Sequence, residues 1–137
     1  MRIGHIENGI VLDHITAGNG MNIYHTLKLD ELACAVALIT NADSPKMGKK
    51  DIIKISDSLD VDLEILAYLD PGITVNIIKD GVVAERKKLS LPERVVDVIK
   101  CENPRCITSV EREIRHEFVL TDSAQKVYRC IYCDQEA

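Results

Sequence analysis

Aromatic side chains are scarce in this chain of 137 residues, which has no tryptophan, one phenylalanine (Phe118) and four tyrosines. A surface that stacks the bases of single-stranded nucleic acid needs such rings, so their scarcity argues against that class. No apolar run approaches the roughly 20 residues of a membrane span, and the N-terminus MRIGHIENG has no apolar stretch resembling a signal peptide. A cytoplasmic chain with reduced cysteines and no membrane partner is expected. Basic excess is missing too. The formal net charge is −5, with no basic arm and no acidic tail, which works against neutralising the phosphates of a nucleic acid. There is no G-x-x-x-x-G-K-[ST] loop and no paired acidic site for two metals, so nothing resembles a nucleotide-hydrolysing constellation. Internal repeats and low-complexity segments are absent as well.

Cysteine, by contrast, is concentrated. Cys101 and Cys106 stand in CENPRC, Cys130 and Cys133 in CIYC, and only Cys34 lies elsewhere. Two short knuckles supply four thiolates, the number Zn²⁺ takes in a structural tetrahedral site. Four protein ligands leave no open position for water or substrate, which argues against a zinc hydrolase. Disulfides are the competing reading, opposed by the missing export signal and the knuckle-type spacing. Cys34, inside the apolar run LACAVALIT, is expected as a small buried core residue.

The first 90 residues alternate strands and helices. GIVLDHI (9–15) follows the turn pair Asn8-Gly9 and reads as a strand. A short helix is predicted over 21–28, where Met21, Tyr24 and Leu27 recur every third residue. LACAVALIT (32–40) has strand length, NADSP (41–45) reads as a turn and KKDIIKI (49–55) as a strand. SDSLDVDLEILAYL (56–69) is the clearest helix, entered through Ser and Asp and stopped by Asp70-Pro71-Gly72. ITVNIIK (73–79) and VVAERKKL (82–89) form a hairpin through Asp80-Gly81. The fold class is therefore α+β: a ferredoxin-like β-α-β-β-α-β sandwich with an extra strand over 1–92, then a small all-β zinc domain with a four-cysteine site over 93–137. That second domain includes HEFVL (116–120) and KVYRC (126–130), and is too small to fold without its metal.

On a strand through 49–55, Lys50, Ile52 and Lys54 face one way, and Asp51, Ile53 and Ile55 the other. Lys50 and Lys54 then sit about 13 Å apart, four residues at roughly 3.3 Å each. From charge alone a solvated strand face with ordinary lysines explains this better than a phosphate site does.

VLDHI (11–15), MGKKDIIKI (47–55), TVN (74–76), SLPER (90–94) and the Cys-x4-Cys, Cys-x2-Cys pattern together resemble the regulatory chain of aspartate carbamoyltransferase. The resemblance covers nearly the whole chain. It implies a non-catalytic subunit of pyrimidine biosynthesis, in which the N-terminal domain binds nucleotide effectors such as CTP, ATP and UTP. The zinc domain would dock on a catalytic chain, and the regulatory chains would pair as homodimers. The effector positions it implies are Ile3, His5, Ile6, Val11, Asp13, His14, Lys50, Lys54, Asn76, Ile78, Val83 and Arg86; the zinc ligands are Cys101, Cys106, Cys130 and Cys133. Glu102, Asn103, Arg105 and the 107–129 excursion would meet the catalytic chain. Gly4 and Gly81 stand where other members carry larger side chains, and Arg86 replaces a lysine, so the base end of the pocket departs most from the pattern. A nucleic-acid-binding zinc ribbon is the alternative, with no catalytic residue under either reading.

Overall fold

The computed structural model describes residues 6–57 and 62–137. Strand β1 (Gly9–Thr16), helix α1 (Gly20–Thr26), β2 (Val36–Ser44), β3 (Gly48–Ile55), α2 (Leu63–Leu69), β4 (Thr74–Lys79) and β5 (Val82–Lys88) follow in order, with one 3₁₀ turn at Leu29–Glu31. They build a five-stranded sheet in the order β2-β3-β1-β4-β5, with every neighbouring pair antiparallel. This is the ferredoxin-like arrangement, and β5 is the extra strand added beside β4.

Strand alternation decides which sheet face is buried. Ile10 lies opposite Ile55, and Leu12 opposite both Ile53 and Val75, so these side chains share one face. Ile23 of α1 and Leu66 of α2 complete that cluster, both fully buried. Each such side chain withdrawn from water contributes roughly 1.5–3 kcal/mol. The helices therefore cover one face of the sheet, and the opposite face is left open.

Three local expectations are corrected. The helix predicted over 56–69 begins at Leu63, because Asp62 is its cap: it has extended backbone and accepts N–H bonds from Glu64 and Ile65, each 3.1 Å. Positions 58–61 of that expectation lie outside the described residues. The strand predicted over 32–40 starts at Val36 and runs through Ser44, taking in all but the last of the residues read as a turn. Asn41 takes a left-handed φ of 58° at a bulge between Ile39 and Ala42, so a turn-forming residue bends the strand without ending it. Finally, Cys34 is half-buried, packed against the core from the loop before β2. The hairpin is as expected: Asp80 (φ 53°) and Gly81 (φ 78°) both take the left-handed conformation that a two-residue type I′ loop requires.

The chain divides into two units, Met1–Ser90 and Leu91–Ala137. In the second, β6 (Arg94–Val96), β7 (Glu117–Asp122) and β8 (Val127–Cys130) form an antiparallel sheet, with a one-turn helix α3 (Ile107–Val110) between β6 and β7. Val95, Phe118 and Cys130 stand opposite one another across the three strands, all buried. The Tyr128 hydroxyl donates to the Pro92 carbonyl at 2.6 Å, fixing the start of the domain. Among the described residues no helix is long and apolar enough to cross a membrane.

Candidate functional site

The four cysteine sulfurs of the second domain lie within 4.8 Å of one another. Cys101 and Cys133 approach to 3.5 Å, Cys106 and Cys130 to 3.7 Å. A tetrahedral ion with bonds of about 2.3 Å, the zinc–thiolate length, needs sulfurs about 3.8 Å apart, so the donor set fits. Asn103 builds the first knuckle: its side-chain oxygen accepts from Arg105 N at 3.0 Å, and its carbonyl accepts from Cys106 N at 3.0 Å and Ser109 Oγ at 2.7 Å. Cys101 N donates to His116 Nδ1 at 3.1 Å, which ties the knuckle to the residue before β7. In the second knuckle Asp134 N returns to the Cys130 carbonyl at 2.9 Å.

Each sulfur also accepts the backbone N–H two residues on, from Asn103, Thr108, Tyr132 and Gln135 in turn. At Cys106 the Thr108 hydroxyl adds a second donor at 3.1 Å. Burial nevertheless pushes the Cys101 thiol up to about 12 and raises Cys130. The Gln135 N–H brings Cys133 down to about 7, and the Thr108 hydroxyl and N–H lower Cys106. An incoming cation must displace protons from Cys101 and Cys130, which couples metal binding to pH.

The open sheet face of the first domain gathers most of the positions expected to hold a nucleotide. Register aligns Lys54, Val11, Asn76 and Arg86 in one row across β3, β1, β4 and β5. Arg86 Nε donates to Asn76 Oδ1 at 3.0 Å, and Asn76 is buried. Toward the hairpin, Ile78 pairs with both Gly9 and Val83, and the buried Ile6 reaches the same glycine. Val83 is 49% exposed, which makes it a surface residue of this face. Ile3 and His5, like Gly4, lie outside the described residues.

At the other end Asp13 pairs with Thr74, and Thr74 with Lys88. Lys50 Nζ meets Asp13 Oδ1 at 2.9 Å, with side chains only 16% and 24% exposed. Burial alone would raise the Asp13 carboxyl, but the Lys50 ammonium and the His14 N–H outweigh it and hold the group below the usual carboxylate range. Strict alternation would send His14 to the helical side. Instead the register shifts between Leu12 and Ile15, His14 takes a φ of 58°, and its Nδ1 lies 3.1 Å from Thr74 Oγ1. A bulge thus brings both neighbours to one end of the face.

Sequence reasoning missed Asp51, which is 1% exposed on the helical side of β3. Its Oδ2 accepts from Gly18 N (3.0 Å) and Gly20 N (2.9 Å), and its Oδ1 from Asn41 N (3.1 Å). A Cβ at position 20 would lie 2.8 Å from that Oδ2, which explains the glycine opening α1. The one readable signal was an acid at an alternation position otherwise held by Ile53 and Ile55.

Fold and centre together define a two-domain α+β protein: a ferredoxin-like domain with one uncovered, polar sheet face, followed by a tetracysteine metal-binding domain. Residues 1–90 match the family model described as the aspartate carbamoyltransferase regulatory chain, allosteric domain, and residues 93–137 match the metal binding domain of the same chain. The sequence is 52% identical over 135 residues to the aspartate carbamoyltransferase regulatory chain of Clostridium acetobutylicum, covering 98% of this chain and 92% of that one. It is 50% identical over 135 residues to that of Clostridium botulinum, with the same coverage. With that of Bifidobacterium longum it shares 44% identity over 137 residues, 100% of this chain and 99% of the relative. The chain belongs to the aspartate carbamoyltransferase regulatory chain family, and so to allosteric regulation in pyrimidine biosynthesis.

Proposed function

We propose that this chain is a non-catalytic subunit whose first domain (1–92) binds CTP, ATP and UTP on its open sheet face, and whose second (93–137) docks on an aspartate carbamoyltransferase catalytic chain. The observation that carries the first part is the row Lys54–Val11–Asn76–Arg86, flanked by the Lys50–Asp13 pair. Lys50, Lys54 and Arg86 supply positive charge for phosphates, and arginine's fork suits phosphate oxygens. Asp13 offers an acceptor to ribose hydroxyls, His14 a ring nitrogen, and Ile6, Val11, Ile78 and Val83 apolar walls for the base; Ile3 and His5 join the effector set on family resemblance alone. One structural Zn²⁺ on Cys101, Cys106, Cys130 and Cys133 supplies a fixed fourfold link between the two knuckles. It thereby holds Glu102, Asn103, Arg105 and the 107–129 excursion as the docking surface. The regulatory chain works in the cytoplasm as a homodimer, with no membrane or nucleic-acid partner.

Effector and catalytic chain then act on one equilibrium, with a reciprocal coupling of about 1–3 kcal/mol. The test is co-purification with aspartate carbamoyltransferase catalytic chains, followed by activity assays with CTP and ATP. Assembly with a nucleotide response is expected. Assembly without any nucleotide effect, together with no nucleotide binding by calorimetry, overturns the effector site; failure to assemble overturns the docking role.

A further inference from the structure

The open face has a direction. At the hairpin end Ile78, Val83 and Ile6 are apolar; the middle row carries Lys54, Asn76 and Arg86; the far end holds Asp13, His14, Lys50 and Thr74. An amphiphilic ligand is oriented by that face, with its base toward Ile78, its ribose at Asp13 and its phosphates across Thr74 toward β5. Beside Thr74, on β5, stands Lys88, directly opposite it in register and two residues beyond Arg86. Alternation puts Lys88 and Arg86 on the same face about 6.8 Å apart, two residues at roughly 3.4 Å each. The intervening Lys87 pairs with the core residue Val75, and Leu89 packs against the core, which fixes the direction of their neighbours.

The two adjacent lysines differ in what already engages them. Lys87 Nζ lies 3.7 Å from Glu85 on the helical side. Lys88 is exposed and has no ion-pair partner among the described residues. Lys50, across the face, is half neutralised by Asp13. We infer that Lys88 is a further phosphate-contacting residue, which takes the outermost phosphates of a nucleoside triphosphate and makes the site count phosphates. The inference rests on the effector site proposed above.

The experiment is calorimetry on the full metal-loaded chain with nucleoside mono-, di- and triphosphates of one base, at fixed salt. A rim contact to phosphate is worth up to about 1 kcal/mol, or roughly fivefold in affinity. Lys88→Ala should weaken the triphosphate about fivefold and the monophosphate less than twofold, and Lys88→Arg should restore most of the loss. Lys87→Ala, on the other face, should leave the series unchanged. If the wild-type chain ranks the three phosphates and Lys88→Ala ranks them identically, or loses all three equally, Lys88 is not in the site while the effector site stands. If the wild-type chain binds none of them, the site itself is refuted and Lys88 with it.

Discussion

Asp51 is the residue on which the first domain is most sharply testable. Its carboxylate is the acceptor for three backbone N–H groups from two segments, and it is 1% exposed. It also sits beside both irregularities of β3: it pairs with Ile15 just after the shift in β1, while Asn41, which it holds, belongs to the shift in β2. Asp51→Ala leaves three donors without an acceptor in a region closed to water. Hydrogen bonds to a charged group contribute about 1.5–3 kcal/mol each. The loss is offset in part because a buried charge is removed as well, so the net cost should be about 3–5 kcal/mol. Against a typical stability of roughly 5–15 kcal/mol, that is a large fraction of the total.

Asp51→Asn makes the reasoning more exacting. An amide oxygen in the place of Oδ2 keeps Gly18 and Gly20, but the amide nitrogen then faces the Asn41 N–H, donor against donor. The cost should be about 1–2 kcal/mol and confined to the β2 bulge. Urea unfolding of the metal-loaded chain gives the totals; hydrogen exchange at the Gly18, Gly20 and Asn41 amides gives the locations. An alanine variant costing under about 1 kcal/mol, or an asparagine variant exposing all three amides equally, would refute the account.

Three further outcomes follow from single contacts. Thr108→Val removes the hydroxyl donor to Cys106 and should speed metal transfer to a chelator about tenfold, with Thr108→Ser restoring the wild-type rate. Asp62→Ala deletes the α2 cap and should lower stability by about 1 kcal/mol in urea unfolding; no change in midpoint would mean the cap is redundant. Because the Asp13 carboxyl lies below its ordinary value, the stability it confers is present above the unfolded-state pKa of about 3.9 and is lost as pH falls through the lowered value. Asp13→Asn should therefore flatten the acid limb of the stability curve below about pH 4 while leaving its shape near neutrality unchanged.

Much of this was legible from local pattern. Alternation in KKDIIKI separated Lys50 and Lys54 from Ile53 and Ile55, and Asp80-Gly81 announced its turn because both positions need positive φ. The knuckles were legible because metal chemistry fixes ligand number. What failed was boundary and irregularity. Asn41 and His14 both adopt left-handed backbone inside strands, and nothing in their own residue types says whether such a position bends a strand or ends it. The deciding factor was a carboxylate 10 residues from Asn41, a distance local pattern does not see. Lys88 was overlooked for a different reason: only the β4–β5 register separates it from Lys87.

The same carboxylate links the two faces of the sheet. The β1 bulge that carries His14 to Thr74 lies between Leu12, paired with Ile53, and Ile15, paired with Asp51. On the helical side Asp51 anchors Gly18 and Gly20, the segment into which β1 runs; on the open side its neighbour Lys50 holds Asp13. Loosening Asp51 should therefore let the β1 bulge relax toward regular pairing, turning His14 away from Thr74 without deleting any open-face side chain. For Asp51→Ala, which loses the Gly18 and Gly20 acceptor that the asparagine variant keeps, the expected result is a weakened His14–Thr74 contact by NMR and a severalfold loss of triphosphate affinity, with metal content unchanged. Retained affinity alongside exposed Gly18 and Gly20 amides would show that the bulge is held by the open-face pairs themselves, and that Asp51 serves the core alone.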